Sequence, residues 1–136
     1  MKRIFVTGIS TEVGKTMASA VLVEALQADY WKPVQAGDLE YSDSDKVRDL
    51  ISNTRTVIHP NAYALKTPMS PHGAAEIDGI TIELEKITPP KARNHLVIIS
   101  DIHSISRTWK RQRSCQVMID ISPSWIDSLR KGLYLS

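Results

Sequence analysis

Residues 8–16 read GISTEVGKT, set between the apolar run RIFVT at 3–7 and an alanine- and leucine-rich stretch from Lys15 to Ala28. The stretch ends in the Gly-Lys-Thr of a phosphate-binding loop. Yet five residues separate Gly8 from Gly14, where the common P-loop pattern has four. The flanks suit such a loop: RIFVT has the near-continuous apolarity of a strand buried on both faces. Val21, Leu22, Ala25 and Leu26 then recur at helical spacing. Strand, glycine loop and helix in that order aim backbone N–H groups at an anion, and the helix dipole adds favourable potential. Gly14 lets the backbone come close, Lys15 supplies a cation and Thr16 a hydroxyl for magnesium. The plainer alternative is a glycine turn before a Lys-Thr helix start, and the flanking elements weigh against it.

Working outward, YWKPV at 30–34 reads as a second extended piece, because a residue before proline is pushed toward β. QAGDLEYSDSD at 35–45 is polar and turn-rich. A helix is expected over 45–51, capped by Ser44 or Asp43, with Val47, Leu50 and Ile51 on one face. The two prolines of TPMSPH at 67–72 interrupt any helix, and short helices are expected over 72–77 and 80–87. HLVIIS at 95–100 is a strong buried-strand signal. In the last segment CQVMIDI at 115–121 is strand-like, and SPSWIDSLRKG suits a short helix from Ser124 to Gly132.

A chain of 136 residues suits one compact domain, and 42% apolar with 24% charged residues is the composition of a globular protein. The net charge of +2 favours no class of partner, but it hides a split. Residues 1–100 carry 11 basic and 12 acidic side chains, whereas 101–136 carry 6 and 3. The lone Cys115 excludes an internal disulfide and a cysteine-based zinc cluster. No apolar run reaches the roughly eighteen residues of a membrane span, and the N-terminus enters a strand without a signal-peptide pattern. A cytoplasmic protein is expected, with no membrane partner. The basic stretch SRTWKRQR at 106–113 reads as solvated chain, so no nucleic-acid partner is expected either.

The loop resembles that of the dethiobiotin synthetases, G-T-D-T-x-V-G-K-T, in which the longer spacing is normal. Gly8, Thr11, Val13, Gly14, Lys15 and Thr16 match it, while Ile9 and Ser10 depart. Tyr30–Gly37 is similar to the family's K-P-V-x-x-G segment, and Ser70-Pro71-His72 resembles its S-P-H element. A partitioning-type P-loop ATPase would share the long loop but not these two segments. The resemblance implies an α/β fold of the P-loop NTPase type, a parallel sheet with flanking helices, incomplete at its C-terminal side. It implies an ATP- and Mg2+-dependent ligase of biotin biosynthesis, homodimeric in the family, that forms dethiobiotin from diaminopelargonic acid and CO2 through a phosphorylated carbamate.

By that resemblance Lys15 and Lys32 are the catalytic cations. Glu12, Val13, Gly14, Lys15, Thr16, Met17 and Asp45 surround the nucleotide, with Thr16 and Asp45 on the metal. Thr11, Ser70, Pro71 and His72 border the substrate. Asp43 competes with Asp45 for the metal, and either carboxylate also suits a plain helix start.

The match ends near Ile98. After HLVI the family continues E-G-A-G-G, whose glutamate is a further metal ligand, where this chain reads Ile99-Ser100-Asp101-Ile102-His103. Residues 1–100 are therefore expected to form the nucleotide-binding domain and 101–136 an unmatched basic tail. A truncated or frameshifted gene reading, or a divergent end, would each explain it. The alternative to the ligase is an inactive or weakly active nucleotide-binding fragment of the same family.

Overall fold

A computed structural model describes residues 2–8, 14–100 and 117–120. In chain order the elements are β1 (Arg3–Gly8), α1 (Lys15–Leu26), β2 (Asp29–Trp31), β3 (Val34–Ala36), α2 (Asp43–Leu50), β4 (Ile58–His59), β5 (Tyr63–Leu65), α3 (Pro71–Asp78), a 3-10 turn (Leu84–Lys86), β6 (Leu96–Ile99) and β7 (Val117–Asp120). The main sheet runs β4-β2-β6-β1-β7, and β3 pairs with β5 in a separate parallel ribbon. β6 lies parallel between β1 and β2, with Ile4 opposite Val97 and Tyr30 opposite Val97 on the other side. β7 closes the β1 edge in antiparallel sense, with Gly8 opposite Val117.

The apolar runs are continuous because both faces of the sheet are covered. Ile4, Val6, Tyr30, Val97 and Ile99 pack with Ala20 and Val23 of α1 and Val47 of α2. Phe5, Trp31, Leu96 and Ile98 turn the other way, toward Leu65 and toward Ala74 and Ala75 of α3. Both sets come from the same strands by simple alternation. β1, β2 and β6, with the short β4 parallel beside β2, thus end on one edge, at Gly8, Trp31, Ile99 and His59, which is where open α/β sheets carry their sites.

Several expectations shift. The extended reading of 30–34 becomes two strands in two sheets, because Pro33 cannot donate to a ladder. Its carbonyl instead accepts from the N–H groups of Ala62 and Tyr63 at 2.8 and 3.1 Å. α2 begins at Asp43, two residues before the expected 45, and Ser42 caps it in place of Ser44 or Asp43. Of the helix expected over 80–87 only the turn Leu84–Lys86 forms. The strand read in 115–121 is present as β7. The helix expected from Ser124 to Gly132 and the basic stretch 106–113 lie outside the described residues.

Candidate functional site

α1 starts without a side-chain cap. Its N-cap is Gly14, held at φ 87° and ψ 20° in the left-handed region that a side chain disfavours. A Cβ there would meet nothing within 4 Å, so conformation alone demands the glycine. The Gly14 carbonyl takes the first helical bond, from Ala18 N–H at 2.9 Å. Lys15 follows at 3% exposure, a buried cation at the head of the helix. Thr16 lies in the same turn, and Met17 is exposed. Thr11, Glu12 and Val13 lie outside the described residues.

Lys32 comes to the same corner from the end of β2, and it is 2% exposed. Its Nζ donates to Asp43 Oδ2 in an ion pair. The other oxygen of Asp43 accepts from Thr16 Oγ1 at 3.0 Å. A second lysine of α2, Lys46, has its Nζ 3.8 Å from that Oδ1. One carboxylate therefore joins the phosphate-loop threonine to the lysine of the YWKPVQAG segment.

That carboxylate is Asp43 and not Asp45. Asp45 sits at the third position of α2 and closes a capping box: Ser42 N–H and Ser42 Oγ–H donate to its Oδ2 at 2.9 and 2.8 Å. Its other oxygen takes Arg48 Nη1 at 2.6 Å. These bonds, those from Ser42 first, hold the Asp45 carboxyl below its usual pKa. The signal for this was present in the sequence as Ser-x-x-Asp at 42–45, the spacing of a capping box.

The S-P-H element begins α3, with Ser70 at the N-cap and Pro71 at the first helical position. His72 is exposed and lines a pocket of about 480 Å³ with Ala75, Glu76, Ile80, Thr81, Ile82 and Leu84. That lining contains none of Lys15, Thr16, Lys32 or Asp43. The segment is nonetheless tied to the end of β3. Gly37 has φ 74°, and a Cβ on it would come within 2.5 Å of Pro68 Cβ. No local pattern in the sequence signals this contact. Below it, Asp78 accepts from Thr67 Oγ1 and Lys66 N–H at 2.6 Å each, which lowers its pKa and fixes the chain entering α3.

A hydroxyl and a carboxylate are hard oxygen donors of the kind magnesium takes. Among the described residues no three His, Cys, Asp or Glu side chains converge as a metal cage. An ion held by Thr16 and Asp43 would complete its shell from phosphate and water, the usual arrangement for magnesium with a nucleotide.

The family model described as an AAA domain matches residues 2–125, a span that includes the site and β7. An ATP-dependent dethiobiotin synthetase of Christiangramia forsetii is 61% identical over 97 residues, 71% of this chain and 47% of that protein. The ATP-dependent dethiobiotin synthetase of Chlamydia pneumoniae is 44% identical over 126 residues, 93% of this chain and 56% of that one. That of Cytophaga hutchinsonii is 52% identical over 99 residues, covering 73% and 48%. The chain spans about half the length of these relatives.

Proposed function

We propose that this chain, which belongs to the AAA domain family, is a dethiobiotin synthetase like the relatives it resembles, and that it binds ATP and serves an ATP-dependent ring closure. The substrates are a vicinal diamine, diaminopelargonic acid, and CO2. One observation carries the reading: Asp43 links Thr16 at an uncapped helix start to the buried Lys32. A phosphate on the loop would meet Lys15 and Lys32 together.

In the reaction, one amine takes up CO2 and loses a proton, giving a carbamate. A carbamate oxygen attacks the γ-phosphorus of ATP and ADP leaves. The second amine then attacks the carbonyl carbon of the mixed anhydride and expels phosphate, closing the cyclic urea. Negative charge collects on carbamate and phosphoryl oxygens in each step, so fixed cations are the main requirement. Lys15 and Lys32 meet it, and Asp43 orients Lys32 while offsetting the cost of burying it. Magnesium on Thr16 and Asp43 would supply further charge to the β- and γ-oxygens. Backbone amides of Glu12, Val13 and Gly14 would face the phosphates, Met17 would border the nucleotide, and Thr11 would adjoin the carbamate. Ser70, Pro71 and His72 would border the substrate. No helix among the described residues is long and apolar enough to cross a membrane. Work on small molecules in the cytoplasm, as a homodimer, belongs to the same reading.

A second reading has its own observation. Ile99 stands where the family pattern carries its glutamate, and it is fully buried in the core beside Val6 and Val97. A chain lacking that carboxylate would bind nucleotide without completing ring closure. Calorimetric titration with magnesium-ATP, with and without diaminopelargonic acid, separates the two when paired with an assay for dethiobiotin. The ligase reading expects coupled binding and product. ATP binding alone supports the fragment, and no ATP binding sinks both.

A further inference from the structure

The opposite edge of the sheet, where β1, β2 and β6 begin, gathers hydrogen-bond donors that the proposed reaction does not use. Leu26 and Gln27 at the end of α1, Arg55 beyond α2, and Arg93, Asn94 and His95 before β6 line a pocket of about 280 Å³. Among the described residues no acidic side chain lines it.

Hydrogen bonds fix the floor of the pocket. Asn94 Nδ2 donates to Asp29 Oδ1 at 3.0 Å and to the Arg55 carbonyl at 3.2 Å. Asp29 is buried beneath, and also takes Val57 N–H at 3.1 Å and lies 3.2 Å from His59 Nε2. Its oxygens are thus committed away from the pocket. His95 Nδ1 accepts from Lys2 N–H at 2.9 Å, so a neutral His95 carries its proton on Nε2 and is a donor there. Glu24, one turn back on α1, is held by Ser52 and Asn53. Among the described residues neither Arg55 nor Arg93 forms an ion pair.

The simple use of two arginines here is to face the C-terminal carbonyls of α1. The helix dipole offers only about half a negative charge, and two guanidiniums exceed it fourfold. Part of that half is already answered by Gln27 N–H and Ala28 N–H, which cap the Glu24 and Val23 carbonyls. The excess charge, the imidazole donor and the absence of a lining carboxylate suit an oxyanion.

We infer that this pocket binds a tetrahedral oxyanion, phosphate either free or carried as a monoester, at a site separate from the phosphate loop. Twelve residues of α1 separate the two, about 18 Å along the helix. Arg55 and Arg93 supply the charge, and His95 Nε2–H and Gln27 supply neutral donors.

The test follows the His95 imidazole signal by NMR in the full chain, assigned by its loss in His95→Gln. Inorganic phosphate is one arm, ribose 5-phosphate the second, and sodium chloride at matched ionic strength the control. The expected result is a saturable shift with phosphate or ester that chloride does not reproduce. Arg55→Gln and Arg93→Gln should each weaken it by about tenfold. Arg93→Lys, which keeps the charge if glutamine disturbs the fold, should retain most of the affinity. Lys15→Gln should leave the His95 titration unchanged. Tighter binding of the ester identifies a phosphomonoester, and equal or tighter binding of phosphate identifies the free ion. An equal shift with chloride, no saturable shift with either probe, or undiminished binding in Arg93→Gln overturns the site.

Discussion

α1 and α2 lie side by side, and they begin in opposite ways. α2 is closed by its own side chains, since Ser42 and Asp45 satisfy each other across a capping box. α1 begins at Gly14, and among the described residues no side chain caps it. A closed start has committed its donors within the protein, whereas an open one keeps them for a ligand. The contrast also separates two acidic residues only two positions apart. Asp45 is used up in shaping α2, and Asp43, at the first helical position, turns to Thr16 and Lys32.

The largest effect should come from exchanging those two acids in turn. Asp43→Ala removes the counter-charge of a lysine only 2% exposed, while Asp43 itself is 20% exposed. The low end of the range for a broken buried pair, about 3 kcal/mol, then applies. Magnesium-ATP affinity, read by calorimetry, should fall by about a hundredfold. Asp45→Ala should instead cost about 1 kcal/mol of stability in urea unfolding and leave ATP affinity nearly unchanged. The reverse pattern would break the comparison and return the metal role to Asp45.

The two positive-φ glycines around the site come next. Gly37→Ala adds a Cβ 2.5 Å from Pro68 to a strained backbone, so about 3 kcal/mol is expected from strain and overpacking together. Gly14→Ala meets nothing within 4 Å and should cost about 1–2 kcal/mol from strain alone. Urea unfolding of both variants checks the order. Equal costs would mean that Pro68 yields readily and that the tie between β3 and α3 is loose.

Much of this corner could be read from the chain before any coordinates. β1 and β6 carry strong signals, because a sheet covered on both faces needs unbroken apolar runs. α1 forms where expected, but its buried face is Ser19, Ala20 and Val23, while Val21, Ala25 and Leu26 of the expected apolar face are exposed. Phase was harder. SDSD at 42–45 offers four residues able to cap a helix, and the choice of cap rotates every later side chain by about 100° per residue. The helix begins two residues earlier than expected, which puts Asp43 at its first position and Asp45 in its capping box. β4 and β5 escaped reading because two and three residues are too few to show alternation. Their pairing comes from contacts distant in sequence, such as Tyr30 with Ile58 and Val34 with Tyr63. The pocket of Arg55, Arg93 and His95 has no local pattern at all, since it exists only once three separate segments meet.

The smallest effect concerns the other end of the helix pair, where α1 and α2 are joined for stability alone. Glu24 takes the Ser52 hydroxyl, the Asn53 amide at 2.7 Å, and the N–H groups of Ser52 and Asn53 at 3.1 and 3.2 Å. The Ser52 hydroxyl bond leads, followed by those from Asn53, and together they lower the Glu24 pKa from 4.5 to about 2. A carboxyl with a depressed folded pKa contributes its stability above its unfolded pKa and loses it as pH falls through the folded one. Relative to Glu24→Gln, the native chain should hold a constant advantage above about pH 4.5 and lose it toward about pH 2. Asp45 and Asp78, also depressed, titrate in both proteins and cancel in the difference. Because Glu24 is open to solvent, added salt should shrink the advantage at neutral pH. Urea midpoints of the two proteins across that range give the answer. A gap that stays constant to the acid limit would show that Glu24 acts by its shape and neutral hydrogen bonds rather than by its charge.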